Sequence, residues 1–379
     1  MSRIYLDNAA TTPVDPSVIE HISSAMNTLW GNPSSIYKEG RTSRAAIEEA
    51  RKTIANGINA SIGEIFFTSG GTESNNMALK CAVRDLGVTR IISTATEHHA
   101  VLHTLDSLQK HQSTKVEMVE QKVCGTIELA HLESLLKDSE EKTLVSLMYA
   151  NNEIGTMLDL PAVSELCTQY GAYLHSDTVQ AVGFYPIDVD AHKIHFLTGS
   201  GHKFYGPKGV GFIYINNEAM LKPFIDGGAQ ERNMRGGTEN LYGILGMAKA
   251  FAMAVEGMDD RRQKIETVRN YFVEKIQEHI PGIEFNGPPI GEGHYKIVSA
   301  SFPPSDKGDL LLFSLDIEGI SASGGSACSS GADAGSHVLN AIHPGSDRKT
   351  IRFSFSHHNS KEEVDQVISK LVQILEIGK

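Results

Sequence analysis

The feature that most restricts the fold is an alternation of short apolar runs with segments of helical apolar spacing. Ile47, Ala50, Ile54 and Ile58 recur at helical spacing, after which residues 64–68 read as a short strand and residues 73–83 as another helix. The same order returns at apolar runs 90–93, 144–149, 172–175 and 195–197, separated by helical patterns such as 161–170. Strands that alternate with helices are joined by crossovers, so the pattern predicts an α/β fold with a mostly parallel sheet covered on both faces.

The pattern changes past residue 240. Residues 241–255 read as one long apolar helix, and the charged stretch 256–264 leads into another helix ending near Pro281. Strand-like pieces at 297–302 and 351–355 and helical pieces at 309–316 and 362–375 follow. A chain of 379 residues exceeds the ~250–300 at which one hydrophobic core stops growing. Two domains are therefore expected, divided near residue 256. Within residues 321–336 every residue except Cys328 and Asp333 is Gly, Ala or Ser.

Charge and cysteine usage narrow the function. A net charge of -12 disfavours non-specific attraction to nucleic acid or to anionic membrane surfaces, since both need a basic face. No apolar run approaches the ~18 residues of a membrane span, and residues 1–13 carry charges and a proline where a signal peptide needs its apolar stretch. The expectation is a cytoplasmic protein acting on small molecules. Cys81, Cys124, Cys167 and Cys328 lie far apart, without the spacing of a disulfide framework or a zinc finger. Cys81 and Cys167 sit among helix-forming residues and read as buried, inert thiols.

Three local patterns carry chemistry. Gly70 and Gly71 separate a strand from a helix beginning near Thr72, a turn that aims free backbone N–H groups at an anion, and equally a plain tight turn with an N-capping Thr. Asp177 closes an apolar run and Gln180 follows; a carboxylate at a strand's C-terminal end points into the ligand crevice of an open parallel sheet, or caps the next helix. Ser200, His202 and Lys203 occupy a small-residue turn after a further strand. There Ser200 and His202 suit a phosphate, and a lysine beside an anion site can form a Schiff base with an aldehyde cofactor. With Asp177 to hold a pyridinium nitrogen, these parts match the needs of pyridoxal 5'-phosphate.

The strings YLDNAATTP, GNPSS, TSGGTES, ATEHHA, NNEIG, HSDTVQ, SGHKFYGPKG, GGAQERNMRGGTEN, SGGSACSSG and IRFS, in this order from about Tyr5 to about Lys370, resemble the cysteine desulfurases of iron–sulfur cluster assembly, class V aminotransferase-like enzymes of the subgroup with a long cysteine loop. The resemblance implies a fold-type I, pyridoxal-phosphate-dependent transferase acting as a homodimer. Its large domain would span 15–256, with a mostly parallel sheet. A smaller α+β C-terminal domain would span 257–379 and carry the cysteine loop 321–336, with residues 1–14 an arm associated with it. It implies that Lys203 binds the cofactor aldehyde, Asp177 pairs with the ring nitrogen, and His98 stacks on the ring and assists proton transfer. Gln180 and Asn152 would contact the ring hydroxyl and substrate. Gly71, Thr72, Ser200 and His202 would hold the phosphate, joined by Thr238 of the other subunit, and Arg352 would pair with the substrate carboxylate.

The implied reaction takes sulfur from L-cysteine onto Cys328 as a persulfide, leaves L-alanine, and delivers the sulfur to an acceptor such as an iron–sulfur scaffold protein. Selenocysteine lyase and aminotransferase are the nearest alternatives on the same fold, and a non-catalytic partner-binding protein is the alternative from another class. No metal site is expected: His98, His99, His103, His357 and His358 come in pairs without a third ligand at a recognisable spacing. The chain departs from the family where a common Pro is replaced by Gly335, where an arginine after IRFS is replaced near His357, and where an asparagine-containing segment reads HYKIVSASF. The sequence ends at Lys379 without the extended tail that some members use for scaffold docking.

Overall fold

A computed structural model describes residues 3–137, 140–305, 307–324 and 335–377. Its strands are β1 (Ile4–Tyr5), β2 (Ile65–Thr68), β3 (Arg90–Ser93), β4 (Lys115–Met118), β5 (Thr143–Ser146), β6 (Tyr173–Asp177), β7 (Phe196–Ser200), β8 (Gly211–Ile215), β9 (Glu284–Asn286), β10 (Ile297–Phe302), β11 (Ile320–Ser321) and β12 (Lys349–Ser354). Its helices are α1 (Pro16–Thr28), α2 (Lys38–Gly57), α3 (Gly71–Leu86), α4 (His99–Gln112), α5 (Leu129–Lys137), α6 (Leu160–Gln169), α7 (Leu241–Glu256), α8 (Met258–His279), α9 (Leu311–Ile317), α10 (His337–Ile342) and α11 (Lys361–Ile374).

Seven strands form the main sheet in the order β2-β8-β7-β6-β5-β3-β4. All neighbours are parallel except β8, which runs antiparallel between β2 and β7. Successive side chains of a strand point to opposite faces, and the core follows that rule. Ile65 and Phe67 join one apolar cluster with α2, α6 and α7, whereas Phe66 joins the other with α3 and α4. Ile92 and Ile91, Val145 and Leu144, and Phe212 and Ile213 divide in the same way. The sheet is thus covered on both faces, as the alternation predicts.

A second, antiparallel sheet has the order β12-β10-β9 and packs against α8 and α11 through Phe272, whose ring lies 4.8 Å from Phe353 and 5.3 Å from Phe355. The parallel pair β1–β11 adjoins it through bridges from Asp7 to Ser354 and from Ser323 to Arg352. The N-terminal segment is thereby led from the small sheet to the edge of the large one.

Three expectations are adjusted. The stretch 256–264 is helix rather than connector: α7 and α8 meet at Gly257 with a bend of 75°, and Asp259 and Asp260 occupy the favourable first turn of α8. Strand β4 lacks an apolar run because it is an edge strand, and β8 follows a glycine turn with no helix before it. The helix expected at 309–316 opens with a tight turn and then runs Leu311–Ile317. Among the described residues no single helix is long and apolar enough to cross a membrane.

Candidate active site

The C-terminal ends of the parallel strands meet at one edge of the main sheet, where such sheets bind ligands. Asp177 ends β6, Ser200 ends β7, His98 caps α4 after β3, and Gly71 opens α3 after β2. A cavity of about 250 Å³ lies there. Lys203, Asp177, Gln180, His98, Gly71, Thr72, Asn152, Ser200, His202 and Arg352 all line it. Thr238 is exposed and lies outside this lining, and Cys328 falls outside the described residues.

Each side chain has a reason for its place. Asp177, 5% exposed, accepts from Asn75 Nδ2 at 2.6 Å and from the Val179 N–H at 3.0 Å. Asn75 Oδ1 in turn accepts from Thr198 Oγ1 at 3.0 Å and lies 3.1 Å from His175 Nε2. The carboxylate is therefore fixed by a buried network rather than free to rotate. Lys203 Nζ donates to the Ala9 and Ala10 carbonyls at 2.7 and 2.8 Å, so the N-terminal segment holds the amine. Gln180 Nε2 donates to the same Ala9 carbonyl at 2.8 Å, and its own carbonyl lies 3.0 Å from His294 Nε2. Arg352, 1% exposed, pairs with Asp7 at 2.7 Å and donates to the Asn152 carbonyl at 2.8 Å.

His98 Nδ1 accepts the Ala100 N–H at 3.1 Å, which leaves the ring proton on Nε2. Burial lowers its proton affinity, opposed by the Asp177 charge and reinforced by Lys203. His202, 3.1 Å from Thr11 Oγ1, is pushed down to about 3 by burial and by the charges of Lys203, Lys208 and Lys296. Both imidazoles are neutral near pH 7.

The phosphate-type turn requires its glycines. Gly70 has φ +150°, and a Cβ at Gly71 would meet Val179 Cγ2 at 2.7 Å. Gly71 and Thr72 stand in the first turn of α3, a helix start whose free N–H groups suit an anion.

Cys81 and Cys167 are buried, with thiols pushed up to about 11 and about 12 by burial, as inert thiols should be. Sequence reasoning missed Asn75, Asp7 and the carbonyls of Ala9 and Ala10. Asn75 lies four residues after Gly71 on α3, and that shared helix face is the signal that would have found it. His99 and His103 do stack, at 4.9 Å. Among the described residues no group of three or more His, Cys, Asp or Glu is arranged to hold a metal ion.

This strand order and this edge cavity define a class V aminotransferase: residues 4–367 match the family Aminotransferase class-V, and the chain belongs to it. Three likenesses narrow the class. The chain is 40% identical over 380 residues to the cysteine desulfurase IscS of Dictyoglomus turgidum, covering 99% of this chain and 95% of that protein. A solved NifS-like protein superposes with a TM-score of 0.91 at 34% identity, covering 99% of each chain. The solved structure of SspA in complex with cysteine superposes with a TM-score of 0.80 at 30% identity, covering 94% of this chain and 100% of that one. The chain is a member of the cysteine desulfurase family.

The residues present fit pyridoxal phosphate. Gln180 Oε1 and Arg352 Nε are buried without a hydrogen-bond partner among the described residues, and both side chains line the cavity. A polar ring ligand with a hydroxyl and an anionic substrate would satisfy such atoms, and an unmet buried polar group is otherwise costly.

Proposed function

We propose that this protein is a cysteine desulfurase that works with pyridoxal phosphate as a homodimer, taking the sulfur of L-cysteine onto Cys328 as a persulfide and releasing L-alanine. The observation that carries the reading is the convergence of Lys203, Asp177 and His98 on one cavity from strand ends far apart in sequence. The likeness to cysteine desulfurases over nearly the whole chain supports it.

When bound, the cofactor supplies an aldehyde carbon for amines and a ring that accepts electrons. Lys203 would hold that aldehyde and move protons at its Nζ. Asp177, held by Asn75, would stabilise a proton on the ring nitrogen. His98, neutral with its proton on Nε2, would stack on the ring and serve as its proton-exchange partner. Gln180 and Asn152 orient the ring hydroxyl and the substrate. Gly71, Thr72, Ser200 and His202 bind the phosphate, with Thr238 of the second subunit. Arg352 offers a planar fork to the substrate carboxylate.

The sulfur step balances as one bond formed and one broken. The Cys328 thiolate attacks the substrate sulfur, an S–S bond forms, the C–S bond breaks, and its electron pair stays with carbon, which takes a proton to become the methyl group of alanine. The large domain (15–256) carries the cofactor and the small domain (257–379), with arm 1–14, carries the cysteine. The persulfide passes to a sulfur-acceptor protein such as an iron–sulfur scaffold, in the cytoplasm, where thiols stay reduced.

The test is purified protein with pyridoxal phosphate and L-cysteine, assayed for alanine and for sulfide with and without a reductant. Equal alanine and reductant-released sulfide, with a sulfur adduct on Cys328 by mass spectrometry, is expected. An adduct on Cys81, Cys124 or Cys167 with Cys328 unmodified would overturn the assignment.

A further inference from the structure

The loop that carries Thr238 has a strained backbone. Glu231, Arg232 and Asn233 follow one another in the left-handed region, with φ of +44°, +55° and +65°. Asparagine tolerates that region, but longer side chains enter it at a cost that the surroundings must offset. The offset lies at Glu231. Its carboxylate accepts from Arg51 Nη1 at 2.7 Å, from Arg51 Nη2 at 3.0 Å and from the Phe67 N–H of β2 at 2.8 Å. Both side chains of the pair are 3% exposed. Arg51 belongs to α2 and also donates to the Ile65 carbonyl at 2.8 Å, so the loop is tied to α2 and β2 at once.

The same turn fixes the far side of the loop. Gln230, next to Glu231, accepts the Gly237 N–H on its Oε1 at 3.1 Å, and the Gly236 N–H donates to the Ile225 carbonyl at 2.9 Å. Gly227 and Gly236 lie backbone to backbone, for a Cβ at Gly236 would meet Gly227 Cα at 2.7 Å. The loop is thus closed on itself, and Thr238 leaves it directly after Gly237, exposed to solvent. Arg232 and Glu48 add an ion pair of 2.8 Å at the surface, where such pairs fix geometry weakly. Arg235 ties the loop to Glu73 by two hydrogen bonds of 2.8 and 3.2 Å, a second foot beyond the strained turn. For the turn itself, the buried two-pronged pair of Glu231 and Arg51 is the contact with geometric specificity.

Resting on the proposed role of Thr238 at the phosphate site of the second subunit, we propose that Glu231 is a positioning residue for that site: paired with Arg51, it holds the left-handed turn from which Gln230 sets the place of Gly237 and Thr238. Glu231 therefore acts on the cofactor of the partner chain. It does so although Phe67, which it also holds, leads into the Gly70 and Gly71 turn of its own chain. Weakening the pair cannot cost more than the contact it places, and a hydrogen bond to a charged group is worth about tenfold or more in affinity. With the foot at Arg235 still in place, only part of that contact is lost, and a loss of about threefold is expected.

Equilibrium dialysis of purified dimers against pyridoxal phosphate tests this in two hybrids that carry the same substitutions. In the first, a Lys203→Ala chain is mixed with a Glu231→Gln chain. The one lysine-bearing site then lies in the Glu231→Gln chain and receives Thr238 from a chain with Glu231 intact, so wild-type affinity is expected. In the second, a chain with both Lys203→Ala and Glu231→Gln is mixed with a wild-type chain. The lysine-bearing site now receives Thr238 from the altered loop, and affinity about threefold weaker is expected. Glu231→Gln should also add nothing in a Thr238→Ala background, where no contact is left to position. A role confined to the fold of its own chain would reverse the two hybrids; reversed or equal affinities would overturn the proposal. Should Glu231→Gln fold poorly, because Arg51 is left buried with a weaker partner, Gln230→Ala removes only the bond to Gly237 and goes through the same two hybrids with the same expected order. A Thr238→Ala homodimer that retains cofactor like the wild type would instead sink the reading of Thr238 beneath it.

Discussion

Two lysines close to one another behave in opposite ways because their surroundings differ. Lys203 reaches the cavity and gives its protons to two backbone carbonyls. Lys203→Ala is expected to lose the visible absorbance of the lysine-held cofactor and roughly 10²–10⁴-fold of turnover, the range for a lost proton-transfer group. Borohydride reduction followed by peptide mapping checks this: cofactor still attached in the same peptide, where Lys208 is the nearest lysine in sequence, would refute the assignment. Lys296 is fully buried, its Nζ has no hydrogen-bond partner among the described residues, and it lies 3.9 Å from the centre of the Phe184 ring. Burial, then the charges of Lys203 and Arg352, push its proton affinity well below the ordinary 10.5. Between that lowered value and 10.5 the unfolded chain binds a proton that the folded chain does not, so wild-type stability rises with pH across this window. Lys296→Met removes the penalty and fills the same space. The variant is expected to be more stable by about 2 kcal/mol near pH 7, the order of an unmet buried polar group. Its advantage should shrink as pH approaches 10.5. Thermal midpoints of the cofactor-free protein at several pH values decide the matter, and an advantage that grows with pH would contradict it.

Among the elements, the short helix α10 and its glycine entry yield the sharpest test of local backbone geometry. Gly335→Pro cannot keep φ +46° and so must move Ser336 away from Glu153. A loss of about 1–3 kcal/mol is expected, as for strain at a special backbone angle, and urea titration measures it. Gly335→Ala strains the same angle without a clash, since among the described residues only Asn340 Nδ2 lies near, at 3.8 Å, and a smaller effect is expected. Gly335 also marks where the sequence was legible and where it was not. Its replacement of proline is visible in the string, but the left-handed turn it permits appears only with the partner residues in place. Strands β3, β6 and β7 were legible because each is a buried apolar run on a doubly covered sheet. Strand β4, with Lys115 and Glu117 at the sheet's edge, carries no such pattern. Likewise Asp177, Ser200 and Lys203 sit in short strings at strand ends, whereas Asn75 meets Asp177 across 102 residues of sequence. No local period encodes that meeting. The helical start of α8 was hidden for another reason: its first turns face outward and are charged, which reads as a linker until Gly257 joins it directly to α7.

At the scale of the whole molecule, the role proposed for Thr238 requires a second copy. It is exposed in its own chain, in a loop that Arg235 ties to Glu73 at the start of α3 by an ion pair of 2.8 Å. The chain also exposes Trp30, Ile36 and Tyr37 at 69%, 89% and 53%, apolar surface that a partner subunit would cover. If Thr238 completes the phosphate site of the partner, cofactor retention and dimerisation are coupled. A hydrogen bond to a charged group is worth ~1.5–3 kcal/mol, so Thr238→Ala should weaken cofactor retention by about tenfold or more. Subunit mixing separates action across the dimer from action within a chain. In a hybrid of one Lys203→Ala chain and one Thr238→Ala chain, action across the dimer places both defects on the site of the Lys203→Ala chain. The site of the other chain then keeps its lysine and receives an intact threonine. The hybrid is expected to hold one cofactor per dimer with wild-type affinity and to recover half of wild-type turnover. Were Thr238 to serve its own chain, each site of the hybrid would carry one defect, and the single remaining cofactor would be bound as weakly as in the Thr238→Ala homodimer. Equilibrium dialysis of the purified hybrid against pyridoxal phosphate distinguishes these results, because the two affinities differ by the full effect of the threonine.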